Sequence, residues 1–158
     1  LALLSIGALC LAIVRLLFAG SLQHAARSFE TLELRLGEHA VTLRALVDTG
    51  NTLKDPMTNE PVLVLDWSAA ARLLPESHLQ EQDFLYPAAL MRRLMREYPD
   101  LRARLVPYRA VGVSQGLLLA VRCERKGKNG KIAPALAAFS PTPVSSGGDY
   151  EALTGGAA

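Results

Sequence analysis

The stretch SFETLELRLGEHAVTLRALVD, residues 28–48, most constrains how this chain can fold. Leu32, Leu34 and Leu36 alternate with polar residues, and Val41, Leu43, Ala45 and Val47 are apolar at every second position. A period of two puts each set on one face of a strand. Gly37-Glu38-His39 separates the runs by a short turn, so the segment predicts a β-hairpin with one buried face. Slipping the register by one residue would turn every apolar side chain to water, so the pairing is tightly specified. The second strand then ends on an acid, Asp48, followed by Thr49, Gly50 and Asn51.

The rest of the chain continues in short elements. Pro56 and Asn59 mark a turn, and PVLVLD reads as a buried strand. Asp66 is placed to cap a short helix, WSAAARLL, that stops at Pro75. Residues 76–86 are polar and loop-like. Pro87 opens a second helix in which Leu90, Met91, Leu94, Met95 and Tyr98 form a core-facing stripe. ARLVPYRAVG and LLLAVRCER read as strands around a glycine-bounded tip, GVSQG, and IAPALAAFS is a last apolar run. The tail is rich in Gly, Ser and Pro, with one helical turn expected around Tyr150–Leu153. Many short strands with two minor helices predict a mostly β, barrel-like domain.

The start of the chain has a different character. LALLSIGALCLAIVRLLFAG is apolar on all sides with a single charge, Arg15. Twenty residues of helix span about 30 Å, enough to cross a bilayer core. The expected organisation is a transmembrane helix over 1–20, a linker over 21–27 and the β-rich domain over 28–158. His24, Arg27 and Arg35 follow the apolar segment and favour a cytoplasmic domain. A buried core helix, or a signal peptide cleaved near LFAGS, would carry the same composition.

Two cysteines and three scattered histidines give no disulfide framework and no zinc or haem spacing, so no cofactor or metal is expected. Arg92 to Lys131 holds eleven Lys or Arg against three acids. Such a stretch is either a solvated face or a surface for anionic lipid or an acidic partner.

Two motifs carry catalytic patterns. Gly112-Val113-Ser114-Gln115-Gly116 fits a nucleophile elbow, which needs a histidine later in the chain. None follows Ser114, and the next residues read as strand rather than helix. The glycines suit a mobile hairpin tip instead. LVDTG, by contrast, is the mark of aspartic proteases. Peptide hydrolysis at mild pH needs an acid and a base acting on one water and one carbonyl. Two carboxylates about 3 Å apart cannot both ionise, so they share a proton and fill both roles. Gly50 lets the turn form beside the acid, and the Thr49 hydroxyl is placed to bond across to a partner loop. A two-lobed protease would need two such loops. This chain has one, so the pair must come from two copies of Asp48 across a twofold axis. The order is similar to that of retroviral-type proteases: the Asp-Thr-Gly loop, then a flap at Gly112–Gly116, then a closing strand, loop and terminal helix. A retropepsin-like homodimer is the expected assembly.

DTGNTLKDPMTNEPVLVLD after an apolar strand, LVPYRAVGVSQGLLLAVR later, and an apolar segment upstream together resemble the sporulation sigma-E factor-processing peptidases. That family comprises membrane-embedded aspartic proteases of endospore-forming bacteria. The resemblance covers roughly residues 28–153. It implies several membrane spans, of which residues 1–18 are the last, ahead of a protease domain in the mother-cell cytoplasm. It further implies a sigma-factor precursor as substrate, an activating signalling protein acting through the membrane domain, and no nucleic-acid partner. By the match Asp48 is the catalytic acid, and Thr49, Gly50 and Asn51 belong to its loop. An inactive dimerisation module, or a membrane-tethered protease with another substrate, would share these residues.

Overall fold

The computed structural model describes residues 28–110, 113–127 and 129–155. The expected membrane helix, the linker and Gly112 lie outside them. Among the described residues no helix is long and apolar enough to cross a membrane.

The hairpin forms as its alternation requires. β1 (Ser28–Leu36) and β2 (His39–Asp48) pair antiparallel from Ser28↔Val47 to Leu36↔His39. Gly37 has φ of +61° at the first position of the two-residue turn, a conformation that costs glycine little. β3 (Val62–Asp66) is the buried PVLVLD strand. It is followed by α1 (Trp67–Leu73), two short 3-10 turns at Pro75–Ser77 and Glu81–Leu85, and α2 (Pro87–Glu97). Then come β4 (Ala103–Ala110), β5 (Val113–Lys126), β6 (Ile132–Ser140) and β7 (Ala152–Gly155).

Hydrogen bonding runs β1-β2-β7-β3-β6-β5, and β5 returns to β1 through Glu33↔Lys126 to Arg35↔Glu124. Six strands thus close a barrel, and β4 hangs outside it on β5. Ion pairs Arg125–Glu30 and Lys126–Glu33, both 2.9 Å, cross the closing seam. The larger core joins Leu32, Leu34, Leu43, Leu65, Val121 and Phe139 to Leu73 of α1 and to Leu90 and Leu94 of α2. A smaller cluster, Val62, Val106, Leu118, Ala120, Leu136 and Ala138, lies on the opposite face of the sheet.

Four expectations are corrected. The tail around Tyr150–Leu153 holds no helical turn. Ala152–Gly155 is strand, parallel to β2 and antiparallel to β3, because four residues cannot sustain a helix while both neighbouring strands offer partners. Residues 76–86 are not plain loop: Phe84 is buried there, 6.0 Å edge-on to Phe139. Asp66 stands at the start of α1 but makes no side-chain cap, since its carboxylate accepts the Val144 amide at 2.6 Å. Met95 leaves the core stripe and is 45% exposed.

Candidate functional site

β2 aims Asp48 by its alternation. Val41, Leu43 and Ala45 face the larger core. Leu46 and Asp48 therefore project from the other side of the strand. Register places Leu46 beside Leu153 of β7, and Leu153 beside Val64 of β3. Leu153 and Val64 line an open cleft of about 960 Å³. Its remaining walls are the loop Gly50–Lys54, the end of β4 at Pro107–Arg109, and the loop Ser140–Val144, with Leu118 at the back.

The turn carrying Asp48 is held by its own backbone. The Gly50 amide donates to Asp48 Oδ1 at 2.8 Å, and the Asn51 amide donates to the Asp48 carbonyl at 3.0 Å. Asn51 anchors the far end: its side-chain amide donates to the Val62 carbonyl at 3.3 Å, while its Oδ1 accepts the Leu53 amide at 3.2 Å. Gly50 is needed for space rather than for a positive φ, since a Cβ there would stand 3.1 Å from Asp48 Oδ1. Thr49 lies exposed at the corner, and Asp48 is half-buried.

Two supporting residues were not legible in the sequence. Gly155 of β7 pairs with Asp48, and a Cβ on it would meet the Asn51 carbonyl at 3.2 Å. Asp55 is only 1% exposed. Its carboxylate accepts the Thr58 hydroxyl at 2.8 Å, the Met57 amide at 3.2 Å and the Arg104 guanidinium of β4. Burial pushes the Asp55 carboxyl up, but Thr58, the Met57 amide and Arg104 outweigh it and hold the group below its ordinary value. Glu60, in the same loop, pairs with Arg122 of β5 at 2.6 Å. The segment that leaves the Asp48 turn is thus strapped to both strands of the β4–β5 hairpin.

Those pairs also reduce the basic stretch. Of its eleven cations, Arg93, Arg104, Arg122, Arg125 and Lys126 are engaged in ion pairs within the chain.

The GVSQG segment is placed in part. Val113 to Gly116 belong to β5 rather than to a free tip, and β4 pairs with β5 as far as Ala110↔Val113. The register shifts between Tyr108 and Ala110. Gly116 has no positive φ, and packing explains the glycine there instead. The Tyr108 ring lies where a Cβ on Gly116 would stand. Cys123 is buried, and burial pushes its thiol up to about 11, leaving it mainly as the unreactive thiol near neutral pH. Among the described residues no group of His, Cys, Asp or Glu is clustered to hold a metal ion.

The family model of sporulation factor SpoIIGA, the Peptidase U4 family, matches residues 1–156. The chain belongs to the SpoIIGA family. A sporulation sigma-E factor-processing peptidase of Priestia megaterium is 28% identical over 127 residues, covering 77% of this chain and 41% of that protein. The protein of the same name in Bacillus subtilis is 26% identical over 129 residues, covering 78% of this chain and 42% of its own. A relative from Bacillus thuringiensis subsp. kurstaki is 28% identical over 129 residues and is covered over 78% of its length. This SpoIIGA-family chain therefore spans about two fifths of two of these relatives and most of the third. No solved structure matches it.

Proposed function

We propose that the chain is an aspartic endopeptidase that removes the pro-sequence of a sporulation sigma-factor precursor, acting as a retropepsin-like homodimer. The observation that carries the reading is the Asp48 turn. A carboxylate at the end of a barrel strand is held by the Gly50 amide, and the residues that follow it, Gly50 to Lys54, line an open cleft. The names of the Priestia megaterium and Bacillus subtilis relatives supply the substrate class.

In this reading two copies of Asp48 meet across a twofold axis. One deprotonated carboxylate takes a proton from water as it attacks the scissile carbonyl. The protonated one donates to the carbonyl oxygen, and the proton is then passed to the leaving amine. Like charges at that distance keep one proton shared between them, which supplies acid and base together. Thr49 ties each turn to its partner. The β4–β5 hairpin closes over the peptide and excludes water. Residues 1–18 anchor the chain, the domain faces the mother-cell cytoplasm, and a signalling protein switches it on through further membrane spans.

Co-expression with the sigma-E precursor tests this. The unaltered chain should shorten the precursor, and Asp48→Ala should abolish the shortening while leaving the amount of folded protein unchanged. Cleavage surviving Asp48→Ala would refute the aspartic mechanism.

A further inference from the structure

Six large apolar side chains stand exposed among the described residues, and two of them, Leu85 at 61% and Leu117 at 45%, face one recess of about 590 Å³. Phe84 and Leu85, from the 3-10 turn before α2, and Pro87, the first residue of α2, form one side of it. Leu117, Tyr108 and Pro141 complete it from the hairpin and from the loop after β6. Tyr108 and Pro141 are also walls of the cleft beside the Asp48 turn. The two concavities are therefore adjacent and share one aromatic ring and one proline. The missing side chain of Gly116 seats that ring at the junction.

We propose that this recess is an outer subsite of the cleft, taking one aliphatic or aromatic side chain of the polypeptide substrate. The proposal rests on the reading of the cleft as the substrate channel of an aspartic peptidase. An extended peptide alternates its side chains and advances about 3.3 Å per residue. A chain running past Tyr108 turns a side chain toward Pro141 and the recess beyond it. The side chains that line it are apolar apart from one phenol, with backbone polar groups between them, and no carboxylate or cation contributes. A charged side chain entering it would lose its water without gaining a partner, whereas an apolar one is favoured by burial. The segment from Phe84 to Pro87 thus selects a substrate residue at a distance from the scissile bond.

The test uses the full membrane-bound chain and a panel of precursor variants in which each residue around the processing site is changed in turn to Leu and to Lys. For the unaltered chain, one position away from the scissile bond should favour Leu over Lys by about tenfold or more in kcat/KM, carried mainly by KM. Leu85→Glu should reverse the preference at that position alone. Leu117→Glu should do the same, which guards against a local fault in either variant. Leu85 is exposed, so the substitution disturbs no packed core. If Asp48→Ala abolishes cleavage but both glutamate variants keep the original profile, the subsite fails while the peptidase reading stands. If Asp48→Ala cleaves normally, both fail. Glutamate variants that keep the profile but alter cross-linking between copies would assign the recess to a contact between subunits and overturn the proposal.

Discussion

Arg104→Met removes one partner of the pair that straps the Asp48 loop to β4. The carboxylate of Asp55 is 1% exposed, and the Arg104 side chain is 29% exposed. Deleting one partner of a deeply buried pair costs about 3–5 kcal/mol, because a charge is left without its counter-charge. Here the cost is smaller. Asp55 keeps the Thr58 hydroxyl and the Met57 amide, and its cover is a thin layer of its own loop beside a guanidinium that water already reaches. We expect a loss of about 2 kcal/mol at neutral pH. With a urea slope of about 1–3 kcal/mol per molar, the midpoint should fall by roughly 1 M. The single tryptophan, Trp67, packs against Phe84 with ring centroids 6.4 Å apart and reports the transition by fluorescence. The pH dependence fixes the cause. Asp55 is held below its ordinary 3.8, so its contribution is fully present above that value and is lost as pH falls through the lower folded value. In Arg104→Met the carboxyl rises toward protonation, and a neutral acid needs no counter-charge. The gap between variant and unaltered chain should therefore be widest near neutral pH and shrink below about pH 4. Adding Asp55→Asn to Arg104→Met should recover part of the loss. A penalty under about 0.5 kcal/mol, or one that does not change with pH, would refute the strap.

Two further outcomes follow from the proposed shared site and from the packing of Tyr108 on Gly116. Mixing unaltered and Asp48→Asn chains should give heterodimers of greatly reduced activity, and full-rate cleavage by a strictly monomeric preparation would exclude the shared site. Gly116→Val should lower cleavage about tenfold or more by forcing the Tyr108 ring off the hairpin, at a stability cost of about 1–3 kcal/mol; unchanged cleavage would remove Tyr108 from the channel wall.

Elements with a strong period were legible in the sequence. β1 and β2 were fixed by seven alternating apolar positions and a glycine turn, and α2 by Pro87 with Leu90 and Leu94. β7 was not legible, because Ala-Leu-Thr-Gly has no pattern of its own and becomes strand only between β2 and β3. The Asp66 cap failed for a similar reason: the helix offered its carboxylate one partner, and the loop at Val144, 78 residues away, offered a better one. The Asp48 turn was legible as a motif, since backbone and side chain cooperate within four residues. Asp55 was not. An acid between lysine and proline reads as a solvated turn until Arg104, 49 residues later, is brought beside it.

The separation between these two acids has a functional consequence. Asp48 is held by groups within its own turn, so on the proposed mechanism removing its carboxylate should take away chemistry and leave the strands paired. Asp55 faces away from solvent and binds β4, so removing its partner moves the loop without touching the acid. If the hairpin closes over the cleft, the loop that follows Asp48 must move with it or release Arg104 and Arg122. Two charged pairs on adjacent strands favour the first. The hairpin and the turn then behave as one body, and changes at Arg104 should alter kcat along with stability, whereas changes at Leu85 should act mainly on KM.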